Sequence, residues 1–246
     1  MLAVEINAQP DDETCGPTCL HAIYKHYNFN ITHEQVIKEV ERSLSGGTLA
    51  ALLGKHALRN NFSVSLYANN IRLLDPSWFW HADDAKTNQY LIEKLRAQRP
   101  YQEDPGIIQD SKAIESFLEL GGKLKFRTIN PSLLKKYFNK GVPIITGLSS
   151  TYLYRCPRER FTEEGKSIYD DLRGMPCGHF VILSGYDENN RLVLVADPHR
   201  KNPISHNNYY KVSVNRLINA IMLGVFTHDA NLLIIQPKEK PECKPS

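Results

Sequence analysis

At 246 residues, the chain is long enough to bury a sizeable core, as one large domain or as a domain with inserted pieces. Hydrophobic residues make up 41% and charged residues 23%, and the formal charge of +3 comes from 30 basic and 27 acidic residues spread along the chain, which argues against nucleic-acid binding. No apolar run approaches the roughly 20 residues that span a bilayer, and Met1-Leu-Ala-Val-Glu-Ile-Asn7 lacks the regions of a signal peptide, so a cytoplasmic protein away from membranes is expected.

Residues 1–14 read as extended, then loop-like. From Cys15 to about Tyr27, Leu20, Ile23, Tyr24 and Tyr27 recur at helical spacing. Thr32 and Gln35 form the pattern of a capping box for a second helix, with Val36, Ile37 and Val40 facing inward. Gly46-Gly47-Thr48 starts a third, running to about Leu58, and Phe62–Tyr67 alternates as a first strand. Pro76, Pro100 and Pro105 punctuate helical stretches near 87–97 and 111–120, with Gly121-Gly122 as a stop. Strands are expected at 124–129, 143–148, 179–186, 191–196 and 231–236, with helices near 131–139 and 213–222. Helices come first and mostly antiparallel strands later, an α+β pattern. The charged, Pro-rich stretch 237–246 reads as a disordered tail carrying a solvated Cys243.

Cys15 stands at a helix start, followed by Gly16 and Pro17. The partial positive charge of a helix amino terminus favours a thiolate, which is the nucleophilic form of cysteine. Gln9, six residues earlier, has a side-chain N–H suited to an oxyanion, beside the backbone N–H of Cys15. Gly16 leaves room for a substrate carbonyl near the backbone. Cys19, one turn on, reads as core packing. Five cysteines (15, 19, 156, 177 and 243) without a framework spacing suit reduced thiols.

Downstream, Phe180–Tyr186 and Arg191–Ala196 flank Asp187-Glu-Asn-Asn190, a hairpin signature. His179 opens its first strand and Asp197 closes its second. A three-residue turn centred on Glu188 would set the two directly opposite, about 5 Å apart at Cβ. A two- or four-residue turn would put them on opposite faces unless a bulge corrects the register. In the opposed arrangement Asp197 orients the imidazole and His179 serves as base. His199 is a competing base, more plainly read as a solvated or substrate-contacting residue. Gly16, Gly178, His199 and Trp78 complete the candidate substrate-binding positions, although ordinary packing is the preferred reading of Trp78 and Trp80.

No metal and no cofactor is expected. Cys15, Cys19, His21 and His26 look like zinc ligands, but on one helix Cys15 and His26 lie about 16 Å apart along the axis.

Gln9…Thr14-Cys15-Gly16-Pro17-Thr18-Cys19-Leu20, Gly178-His179-Phe180-Val181 and Ala196-Asp197-Pro198 resemble the C39-like branch of the papain-type cysteine peptidases. The resemblance implies a papain-like fold, a helical lobe carrying the nucleophile and a β lobe carrying His and Asp. By motif match it makes Cys15 the nucleophile, His179 the base, Asp197 its orienter and Gln9 the oxyanion residue. It also implies a single catalytic domain over 1–246, with insertions at about 68–122 and 150–178 that act as lids or select substrate. The expected activity is hydrolysis of a peptide or peptide-like amide through an acyl-Cys15 intermediate. Transfer of that acyl group to an amine, and an idle peptide-binding module, are the alternatives.

Overall fold

In the computed structural model, which describes residues 2–44, 46–80, 84–162 and 167–238, Cys15 is the first residue of helix α1 (Cys15–His26). Both bonds of the Thr32/Gln35 capping box are present at the start of α2 (His33–Glu39). The third helix, α3 (Ala50–Arg59), begins two residues later than the glycine pair suggests, and its side of the core includes the fully buried Leu53. Strand β1 (Phe62–Ala68) follows, then a 3₁₀ turn at Pro76–Phe79.

Helix α4 (Asp84–Gln98) and α5 (Pro105–Glu119) form an antiparallel pair. The second starts well before residue 111, because the Asp104 side chain caps it and Pro105 sits where a helix needs no N–H. Buried Leu91, Leu95, Ile107 and Phe117 from this pair share one cluster with Leu20, Ile23 and Leu53, so residues 84–119 belong to the core. Trp78 is buried in that cluster too, whereas Trp80 is exposed.

The remaining elements are β2 (Lys123–Lys125), α6 (Pro131–Phe138), β3 (Ile144–Ser149), α7 (Ser150–Tyr154), β4 (Glu159–Phe161), β5 (Ser167–Tyr169), β6 (Gly178–Asp187), β7 (Leu192–Ala196), β8 (Tyr209–Ser213), α8 (Val214–Leu223) and β9 (Asn231–Pro237). Seven strands form one sheet in the order β2-β1-β9-β3-β6-β7-β8, antiparallel except for β1 with β2. The fold is α+β. Strand β2 is shorter than expected, and α7, the β4–β5 hairpin and β8 are additions to the sequence reading. Pro237 pairs with Phe62 as the last residue of β9, so the expected tail begins in the sheet; 239–246, with Cys243, lie outside the described residues.

Strand alternation splits the core by face. Ile145, Phe180, Ile182, Leu233 and Ile235 point to the side of α1 and α3–α5, while Ile144, Val181, Leu183, Leu232 and Ile234 point to that of α6–α8. The amino-terminal residues run as a strap from β6 to the end of β7 and to β8. Leu2 N–H donates to Ser184 O, Ile6 N–H to the Tyr209 hydroxyl, and Gln9 N–H to Pro198 O. That strap delivers Gln9 to the sheet end where His179 and Asp197 lie. Among the described residues, no helix is long and apolar enough to cross a membrane.

Candidate active site

The β6–β7 hairpin does not have the three-residue turn. Asp187 pairs with Leu192, leaving four residues, 188–191, in the loop. By itself that register places His179 and Asp197 on opposite faces. A bulge between Leu183 and Gly185 inserts Ser184, after which Leu183 pairs with Val195 and Ile182 with Ala196. Continued to the strand ends, this register puts Asp197 across from Val181, diagonal to His179 and on its face. The side chains close the diagonal: His179 Nε2 lies 2.9 Å from Asp197 Oδ1.

Asp197 is fully buried and surrounded by donors. Oδ1 also accepts the backbone N–H of His199 at 2.8 Å, and Oδ2 accepts the hydroxyls of Tyr154 and Tyr210, each at 2.8 Å. Burial alone would raise this carboxyl, but the charge and bond of His179 and the tyrosine bonds outweigh it and hold the group below its ordinary value. The backbone is held as well: Asp197 N–H donates to Asn208 O at 2.7 Å, and the Asn208 side chain returns a bond to Asp197 O. Burial pushes Tyr154 and Tyr210 well above the usual phenol value, and the Asp197 charge adds to it, so both stay neutral donors.

Burial opposes a charge on His179, yet Asp197 and the nearby Cys15 thiol together raise the imidazole to about 10. With Nε2 committed to Asp197, Nδ1 is the nitrogen left for the thiol. Cys15 is half-buried at the first turn of α1, where the unsatisfied N–H groups concentrate partial positive charge. Cys19 is fully buried, its Sγ 3.4 Å from Phe180 O, and packs in the core.

Gln9 is brought to this end of the sheet, its side-chain N–H donating to Asp11 O at 2.7 Å while its buried Oε1 has no partner among the described residues. His199 is also here. Its ring lies 6.2 Å from both His179 and Tyr154, and burial and the His179 charge lower its pKa, so it is a neutral neighbour with no carboxylate on its ring.

Three substrate-binding expectations change. Trp78 is buried in the core, as the packing reading expects. Gly16 faces no open space: a Cβ there would overlap Thr48 Cγ2 and meet Leu53 and Phe180 at 3.3 Å, so its smallness serves helix packing. Gly178 is exposed, but its missing Cβ makes room for the Asp229 carboxyl rather than for open solvent. Tyr154, Tyr210 and Asp229 were not singled out by sequence reasoning. Tyr210 carries a faint signal, since it pairs with Val195 and so shares the face of Asp197. Among the described residues no group of His, Cys, Asp and Glu is placed to hold a metal.

A helical lobe with a cysteine at a helix start, set against an antiparallel sheet carrying a His–Asp pair, is a papain-like arrangement and defines a cysteine-peptidase-like enzyme. The chain belongs to the Peptidase_C39 like family, whose sequence model matches residues 1–219. Among solved structures it is similar to one described as a C39-like peptidase from Bacillus anthracis, with 14% identity, 96% of each chain covered and a TM-score of 0.46. It is also similar to xylellain, a cysteine protease from Xylella fastidiosa, with 12% identity, 97% of this chain and 88% of that one covered, and a TM-score of 0.38. No curated protein matches the chain.

Proposed function

We propose that the protein is a thiol hydrolase that cleaves a peptide or peptide-like amide through an acyl-Cys15 intermediate. The Cys15 proton rests on His179 Nδ1, the thiolate attacks the carbonyl, and the imidazolium then protonates the leaving amine. Water, deprotonated by His179, attacks the thioester and releases the acid. Asp197 orients the imidazole and balances its charge. The backbone N–H of Cys15 and the second side-chain N–H of Gln9 hold the oxyanion, each such donor contributing about 3 kcal/mol. The observation that carries the reading is the four-donor Asp197 carboxylate bonded to a His179 that the Cys15 thiol also reaches. The free Cys15, Cys19, Cys156 and Cys177 suit action in the reducing cytoplasm. Residues 1–246 are taken as one catalytic domain, in which the 150–178 stretch supplies Tyr154 to the site.

Iodoacetamide labelling across pH, read by peptide mass, tests this. Burial lifts Cys177 to about 12 and raises Cys156 as well, so both are slow internal references. Cys15 is expected to label faster than either at about pH 6, and His179→Ala to slow it roughly tenfold or more. Labelling no faster than Cys177 would remove the activated nucleophile and favour the idle binding cleft. Acyl-Cys15 consumed by added amines in preference to water would make the protein a transferase.

A further inference from the structure

A small recess of about 30 Å³ opens between α3 and the ends of β1 and β9, narrow and mainly apolar. Leu49, Leu66 and Leu73 line its walls, and Asp110, His228 and Asp229 stand together among its lining. It adjoins the candidate catalytic centre on two sides. Leu49 and Ala50 follow Thr48, which packs on Gly16 beside Cys15. The Asp229 carboxyl lies over Gly147 and Gly178, and Gly178 directly precedes His179.

The recess has more acids than bases in its lining, Asp110 and Asp229 against His228. His228 Nδ1 bonds Asp110 Oδ2 at 2.8 Å, which pairs those two, and Arg72 is taken by Asp104 at 2.7 Å. Asp229 is 92% buried by its 8% exposure, and its one hydrogen-bonded side-chain partner among the described residues is the neutral Thr227 hydroxyl, 3.0 Å from Oδ2. Both flanking residues, His228 and Ala230, are held at positive φ, 63° and 60°, a conformation that costs non-glycine residues about 1 kcal/mol each and persists where function or packing demands it. A buried acid without a cation, at the end of a narrow apolar slot, is the complement of an unbranched apolar stem with a charged head.

We propose that this recess is the substrate pocket beside the scissile bond and that it receives a basic side chain, lysine in preference to arginine, with Asp229 as counter-charge. The proposal rests on the Cys15 hydrolase reading for its place next to the bond cleaved. Burial lifts Asp229 to about 8; the Thr227 bond lowers it, Asp110 raises it, and His179 and His228 lower it. The empty pocket therefore holds a neutral acid near pH 7, and an entering ammonium ionises it with release of one proton. The preference for lysine accordingly grows as pH rises toward 8, levels off above it and shrinks in acid.

The test uses fluorescent peptide pools with one fixed residue (lysine, norleucine or Nε-acetyl-lysine), titrated against the full chain carrying Cys15→Ala. At about pH 8.5 the lysine pool should bind tenfold or more tighter than the other two. That advantage should shrink at about pH 6 and vanish in Asp229→Asn. Equal binding of the three pools, or none by any, overturns the pocket without needing a folded Asp229 variant. The wild-type chain is then offered the same pools and Cys15 acylation is read by mass. Lysine preference without acylation sinks the hydrolase reading and leaves a lysine-binding pocket; acylation without lysine preference does the reverse.

Discussion

The hydroxyls of Tyr154 and Tyr210 converge on one oxygen of Asp197, each at 2.8 Å, although they come from a helix and a strand 56 positions apart. Each donates a neutral O–H to a buried anion, a bond worth about 1.5–3 kcal/mol. Removing either leaves the carboxylate less stabilised, so its pKa rises and its hold on the His179 imidazolium weakens. Tyr154→Phe and Tyr210→Phe are each expected to lower Cys15 alkylation at about pH 6 by roughly tenfold, with the acid limb of the pH profile displaced to higher pH. A uniform loss at every pH would make them packing residues only. Because both act through one oxygen, the double variant should lose less than the product of the single losses.

What the sequence disclosed of this site was its local chemistry. Cys15 at a helix start, the Thr32/Gln35 box and the hairpin around Asp187–Asn190 depend on neighbours within a few residues, and each stands where the spacing puts it. The α5 start was legible too, since Asp104-Pro105 is a cap followed by a first-turn proline, but the proline reads equally well as punctuation. The Ser184 bulge left no mark, because an inserted residue in an apolar strand alternates like any other. Tyr154, Asp229 and the Asp110–His228 pair reach their partners across 43, 51 and 118 positions or through sheet order, which periodicity does not encode. Trp78 and Gly16 are ambiguous in sequence for a related reason: a large ring or a missing side chain fits core packing as readily as a cleft.

The His179–Asp197 pair sets the pH dependence of stability. His179 is raised from 6.5 to about 10, so its contribution is complete below 6.5 and is lost as pH climbs toward 10. Asp197 is depressed below 3.8, so its contribution is complete above that value and is lost only in stronger acid. The pair is therefore most stabilising between about 4 and 6.5. The wild-type protein should lose on the order of 3 kcal/mol relative to Asp197→Asn between pH 6.5 and 10, measured by urea midpoints at each pH. Parallel stability curves for the two proteins would mean that His179 gains little from its partner.

Ser184 offers a test of register. Its deletion removes the bulge but leaves Gly185 on Leu194 and Leu183, now adjacent in the chain, on Val195, so Asp197 stays across from Val181 and on the face of His179. The expected outcome is Cys15 reactivity close to the wild-type level, in a protein whose far-ultraviolet circular dichroism keeps its strand content. Substituting Ser184→Ala retains the extra residue and should retain the reactivity, since the hydroxyl makes only a 3.5 Å contact with Leu194 O. Reactivity at the His179→Ala level in the deletion variant would show that the bulge itself, and not the pairing alone, brings His179 to Asp197.

Gly16 sits against Thr48 so closely that a Cβ would overlap its Cγ2, with Leu53 and Phe180 at 3.3 Å on the other sides. Overpacking of this kind typically costs 1–3 kcal/mol, and here it pushes α1 away from α3. Gly16→Ala should lower stability by about 2 kcal/mol. Thr48→Ser removes the offending methyl but keeps the hydroxyl that donates to Glu41 O at 3.0 Å. The double variant should therefore recover most of the loss in thermal denaturation. If Gly16→Ala left stability unchanged but abolished Cys15 acylation, the position would act on substrate, and the packing assignment would be wrong. If the double variant recovers stability and reactivity together, the approach of α1 to α3 is what holds Cys15 in reach of His179.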